Sequence, residues 1–109
     1  MSLHLCDMPN LVIANGATAT TTPITSYLDD AYAVTITAPA ALTGTITINV
    51  STDGGTTYVD ATSGGSDITV AAGNAVQISP FPYNALKVTS GGAEGAERTF
   101  TVQKQIWVG

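Results

Sequence analysis

The sequence predicts an all-β fold: a single small antiparallel β-sandwich, Ig-like or jelly-roll-like, with an extended N-terminal arm. Three observations carry this. Short apolar runs recur about every 8 to 12 residues, separated by Gly, Pro, Asn and Asp turn signals, the spacing of sandwich strands. Residues 43–58 alternate Thr with Ile and Val and then enter Asp53-Gly54-Gly55, a strand running into a hairpin turn. No stretch keeps apolar residues at helical spacing without Gly, Pro or β-branched interruptions, so a single turn at residues 93–98 is the most helix expected. At 109 residues the chain fits one core and not two.

The elements follow in order. Residues 1–10 show no sustained periodicity and contain Pro9, so they read as an arm whose order depends on a partner. Residues 11–109 form the sandwich domain. Residues 11–14 are a short first strand. Residues 15–25 open on the Asn15-Gly16 turn signal and carry Pro23, which suits an edge strand or extended segment but not a central strand. Residues 31–38 alternate, with Tyr32, Val34 and Ile36 on one face and Thr35 and Thr37 on the other. The next strand puts Ile46, Ile48 and Val50 in the core and Thr45, Thr47 and Asn49 toward water, and the two strands are expected to pair antiparallel.

Beyond the hairpin turn, residues 58–61 return along the sheet, residues 68–71 form another short strand, and residues 75–79 follow the Gly73-Asn74 turn. Pro80 and Pro82 remove two backbone donors, so residues 79–83 read as an extended crossover. Residues 85–89 and 98–108 close the domain with Leu86, Val88, Phe100 and Val102 inward. Residues 91–97 link them as a mobile hairpin loop.

Composition excludes several functions. Charged residues make up only 10% of the chain, against roughly 25% in ordinary soluble domains, so Thr, Ser, Asn and Gly must cover the surface. Such a surface lowers the desolvation cost of packing against a neighbour and suits an assembled state. Eight acids face only Lys87, Arg98 and Lys104, for a net charge of −5, which argues against nucleic-acid binding and against attraction to an anionic membrane. No apolar run approaches the roughly 20 residues of a membrane span. Cys6 stands alone, so no intrachain disulfide is available, and the first residues lack a secretory pattern; cytoplasmic synthesis is expected. Cys6 reads as an incidental reduced thiol, with a nucleophile or a bridge between chains as the alternatives.

The motifs read as structure before chemistry. Ser51-Thr52-Asp53-Gly54-Gly55-Thr56-Thr57-Tyr58 resembles the Asp-box, S-x-D-x-G-x-T-[W/F], with Tyr58 in the aromatic place. The Asp carboxylate accepts backbone N–H groups a few residues on, glycines supply positive φ, and the aromatic folds back onto the sheet. In sialidases this motif repeats around a propeller and is structural; one copy and one Arg make it a structural turn here. Asp29, Asp30, Asp53, Asp60 and Asp67 match no calcium-loop spacing and read as turn acids, and one His with one Cys cannot close a zinc site. The glycines of residues 91–96 lack the Lys-Ser/Thr of a phosphate loop, and Glu94 and Glu97 would repel phosphate. With His4 as the single histidine, no Ser-His-carboxylate set is credible, so neither an enzyme nor a cofactor is expected.

Phe81, Tyr83 and Trp107 are the candidate interaction residues. Trp107 lies on the face of the last strand opposite Phe100 and Val102. Exposed, it would anchor a partner; the expected alternative is burial within the monomer through a bulge or closure of the core end.

Residues 40–58, together with Pro80-Phe81-Pro82-Tyr83-Asn84-Ala85-Leu86-Lys87-Val88 and Ala96-Glu97-Arg98-Thr99-Phe100, resemble small structural proteins of tailed bacteriophages, of the capsid decoration or cement type. The resemblance spans about the last two-thirds of the chain. It implies a β-sandwich on the virion surface, made in the host cytoplasm, that bridges major capsid protein subunits as a homo-oligomer, with a trimer favoured. Two alternatives remain: a glycan-binding or adhesion module of a phage tail or fibre using those three aromatics, and a head-completion or tail subunit.

Overall fold

Why each strand forms is visible in its burial. The computed structural model describes residues 2–26, 28, 30–79 and 83–108, and contains no helix among them. Eleven strands follow in chain order: β1 Ser2–Asp7, β2 Leu11–Ile13, β3 Ala33–Thr37, β4 Ile46–Ser51, β5 Val59–Asp60, β6 Thr62–Ser63, β7 Ser66–Asp67, β8 Thr69–Val70, β9 Ala75–Ile78, β10 Ala85–Ser90 and β11 Arg98–Val108. The first sheet runs β1-β11-β3-β9, with β2 also on β11. The second runs β10-β4-β5, with β8 also on β4, and β6-β7 is a small separate hairpin. Each main sheet turns one apolar face inward. Val34, Ile36, Phe100 and Val102 from the first meet Ile46, Ile48, Val50, Leu86 and Val88 from the second in one core.

All pairings are antiparallel, and the all-β sandwich is the architecture found. The pairing of β3 with β4 is not. β3 lies between β11 and β9, whereas β4 lies between β10 and β5/β8, so the two strands face each other across the core. Alternation encodes which face of a strand is buried, not which strand lies beside it. Tyr32 falls just before β3 and is 57% exposed, not inward. Asn49 is buried, not solvated: its Nδ2 donates to Asp60 Oδ1 at 2.6 Å and its Oδ1 accepts from Thr89 Oγ1 at 2.8 Å.

Residues 15–25 run as an irregular edge along β10, with single bridges at Ala19↔Thr89 and Ile24↔Leu86. Gly16 takes φ 83° in the Asn15-Gly16 turn. The 79–83 crossover and Phe81 fall largely outside the described residues.

The segment read as an arm is itself a strand. β1 pairs along its whole length with β11, from Ser2↔Val108 to Asp7↔Gln103, so its order comes from the chain's own last strand. β2 continues along the same edge of β11, from Leu11↔Phe100 to Ile13↔Arg98. Between them the first strand advances from residue 7 to 11 while β11 retreats only from 103 to 100. One extra residue is accommodated beside Pro9, a β-bulge, and it reverses the side to which odd-numbered residues point. Leu11 and Ile13 therefore enter the core, while Leu3 and Leu5 are exposed on the other face.

Candidate functional site

Three regions concentrate the polar and aromatic chemistry. The first is the Ser51–Tyr58 turn. Ser51 is buried at the end of β4, and its Oγ donates to Asp53 Oδ1 at 2.6 Å while accepting from the Gly55 N–H at 3.0 Å. Asp53 Oδ1 also accepts from the Thr57 N–H at 2.9 Å. The Ser51 hydroxyl first, then the Thr57 amide, holds the Asp53 carboxyl below the ordinary range. Gly54 and Gly55 adopt φ 76° and 98°, and the Gly54 N–H donates to Asn84 Oδ1 at 2.9 Å. Tyr58 folds back so that Lys87 Nζ lies 4.6 Å from its ring centroid. Its hydroxyl is buried and finds no partner among the described residues, and burial, then the Asp53 charge, raises its pKa. The contacts of the Asp53 carboxylate lie within the turn itself, from the Ser51 hydroxyl and the Thr57 amide.

The second region is residues 91–97, which join the two sheets and do not form a hairpin. Glu94 is 1% exposed. Its carboxylate accepts from the Thr43 N–H at 2.8 Å, the Gly44 N–H at 2.9 Å, Ser90 Oγ at 2.7 Å and Arg98 Nε at 2.9 Å. Burial pushes this carboxyl upward, but the hydrogen bonds from Ser90, Thr43, Gly44 and Arg98 outweigh it and hold the pKa at about 2. Gly44 is required for lack of room: a Cβ there would lie on Ser90 Oγ and 2.8 Å from the Gly92 amide nitrogen. The loop expected to be mobile is thus a latch tying the β3–β4 connection to the start of β11.

The third region is the other end of β11. Ile106–Val108 extend past the β3 register and pair only with Ser2–His4, so this end is a two-stranded ribbon. Directly opposite residues share a face, which places Leu3 beside Trp107. Trp107 meets Tyr32 edge to face, with ring centroids 5.7 Å apart. Leu3, Leu5, Tyr32, Trp107 and Val108 are five of the six large apolar side chains exposed among the described residues; Val59 is the sixth. Trp107 lies on the predicted face, yet it is 52% exposed and does not close the core.

Of the sequence-predicted aromatics, Phe81 lies outside the described residues, and the ring that meets Trp107 is Tyr32. Tyr83 is half-buried against the core and lines a shallow groove with Ile68 and Gln77. Trp107 sits on the ribbon with Tyr32, a partner the periodicity reading had assigned to the core. Cys6 is half-buried on β1 opposite Lys104. Among the described residues no three His, Cys, Asp or Glu side chains gather as metal ligands, and no helix is long and apolar enough to cross a membrane. Lys87 packs on Tyr58, Arg98 on Glu94 and Lys104 on Asp30 at 2.6 Å, so each base has a partner within the chain.

No family model and no curated protein matches the sequence. Among solved structures, the fold is similar to a chain from Bacillus endospore appendages, described as a novel family of disulfide-linked pili. The TM-score is 0.55 at 15% identity, over 99% of this chain and 90% of the other. At that identity the likeness concerns the fold.

Proposed function

We propose that this chain is a non-enzymatic structural subunit that works by contact within a larger assembly and, more finely, that it decorates a tailed-bacteriophage capsid. In that role it binds the outer surface of major capsid protein subunits and reinforces the shell as a homo-oligomer. The observation that supports contact as its mode of action is the apolar ribbon. A chain with this little charge gathers five of the six large apolar side chains exposed among the described residues at one end, where they are available to a protein partner. Two of the acidic groups are consumed internally, Asp53 by its turn and Glu94 by the latch. Modest contacts suffice for reinforcement when an oligomer engages several capsid sites, because freedom of motion is lost once and each further contact adds avidity.

The fold likeness favours a second reading, a subunit of a filamentous surface appendage. Covalent linkage along such a filament needs at least two thiols per subunit, and this sequence holds one. Cys6 can join chains in pairs and no further, so an appendage built from it would be held by non-covalent contacts. A glycan-binding role draws less support, since Tyr83 is half-buried and Trp107 meets Tyr32 edge to face, not stacked open for a sugar.

Immunogold labelling with antibody to this protein separates the readings. Capsid shells labelled in many copies, together with loss of heat resistance in virions lacking the protein, support decoration. Labelled filaments support the appendage. Virions without it that keep full heat and osmotic resistance would end the decoration reading.

A further inference from the structure

We infer that the outer edge of β1 is a self-association surface, and that two copies of this chain join there edge to edge, antiparallel, about a two-fold axis at His4. The inference stands apart from the capsid reading: it concerns the free protein, and it holds or fails whatever particle the protein belongs to.

Among the described residues, no strand pairs with the outer edge of β1. Exposed edge strands are usually blunted by Lys, Pro or a bulge, and Ser2–Asp7 contains none of these. At its tip β1 has only Ile106–Val108 beside it, and a two-stranded ribbon is marginal in water without a further strand or layer. The adjoining face carries Leu3, Leu5, Trp107 and Tyr32. This half-exposed apolar surface amounts to roughly 400–500 Å² per copy, at the upper end for a monomer patch. Edge-to-edge joining extends the sheet, so Leu3 and Leu5 pack sideways against the second copy and the two patches become one continuous apolar face, while the ladder of backbone hydrogen bonds supplies the rest of the contact.

Charge selects a second copy as the occupant. The chain carries a net charge of −5, so two copies can approach closely only where charge is absent or balanced. Residues 2–7 and 101–108 hold one acid, Asp7, one Lys, Lys104, and His4, which the net charge of −5 counts as neutral at pH 7. Asp7 accepts from Gln103 Nε2 at 2.9 Å and Lys104 pairs with Asp30, leaving the middle of β1 neutral.

Register follows from the side chains. A two-fold axis normal to the sheet pairs residues of equal parity, because directly opposite residues share a face. With the axis at His4, each Leu3 meets the Leu5 of the second copy and both leucines of both copies are covered. An axis at Leu5 would set Leu3 beside Asp7, and one at Leu3 would set Leu5 opposite residue 1, outside the β1 strand.

Two measurements test this. Sedimentation of the wild-type protein is expected to show a dimer, and Leu5→Lys to raise the dissociation constant by about a hundredfold, since each dimer loses two buried leucines and gains two buried charges. Leu5 is 62% exposed, so the variant should keep the wild-type circular-dichroism spectrum and melting temperature. In a Cys6→Ser background, His4→Cys is expected to form a disulfide-linked dimer on mild oxidation, and Asp7→Cys is not, because only residue 4 meets its own copy. A wild-type monomer or trimer, a Leu5→Lys protein that still dimerises, or a dimer in which His4→Cys fails to cross-link overturns the inference. If the ribbon variants weaken capsid binding while the free protein is monomeric, the surface belongs to a different partner.

Discussion

The two ends of β11 solve opposite problems. At Arg98 a charge is taken out of water and every one of its needs is met from within: two backbone amides, a serine hydroxyl and a guanidinium converge on Glu94. At Trp107 apolar surface is left in water and its needs are unmet, with a strand edge and an aromatic pair facing solvent. The first end has no capacity left for a partner, and the second has little else. A polar cluster is therefore a poor guide to function in this molecule, because satisfied polarity is structural and the unsatisfied apolar surface is what remains for binding.

The comparison breaks most easily at the latch. Glu94→Ala leaves two part-buried amides, a serine hydroxyl and a cation without their shared acceptor, and is expected to lower unfolding stability by about 3 kcal/mol, read from the denaturant midpoint. An effect near zero would make the loop an ornament. Acid should act on the same group. Its carboxyl titrates at about 2 in the fold against 4.5 ordinarily, so its stabilisation is complete above the ordinary value and is lost as pH falls from there toward 2. A melting temperature tracked downward from pH 6 should fall in that window, and Glu94→Gln should flatten the fall relative to wild type.

A smaller effect sharpens the contrast at the Ser51–Tyr58 turn. Ser51→Ala removes a buried hydroxyl that serves Asp53 and Gly55, and should cost about 1–2 kcal/mol by the same measurement. At the ribbon the expected change is smallest. A double-mutant cycle on Tyr32 and Trp107 should give a coupling below about 1 kcal/mol in the isolated subunit, since an exposed edge-to-face pair adds little beyond its area. A larger coupling would mean that these rings hold the monomer together and are not reserved for contact.

How legible each feature was depends on how far apart its parts lie in the chain. Val34 and Ile36, Ile46 to Val50, Leu86 and Val88, and Phe100 and Val102 were readable as core because period-two alternation is written within a few residues. The turn at Ser51 to Tyr58 was readable for the same reason. The pairing of β3 was not, because its neighbours β9 and β11 begin about forty and sixty-five residues later and share no local signal with it. Glu94 was missed because an acid among glycines reads as solvated, and two of its partners, Thr43 and Gly44, lie about fifty residues away. The local hint was Arg98, four residues on. Trp107 was assigned to the right face, but its exposure depends on β3 starting only at Ala33, which leaves no strand beyond β1 and β11 at their tip.

The single extra residue beside Pro9 gives the whole terminus its polarity of purpose. Leu3, Leu5, Leu11 and Ile13 are all odd-numbered, and on an uninterrupted strand they would line one wall and vanish together into the interior. Threading the same three-residue spacer without the bulge would therefore bring all four to one side, whereas shortening it by one position would remove the bulge and leave each pair facing as it does. Sociability in this chain is a matter of parity, set by one residue that the last strand does not match.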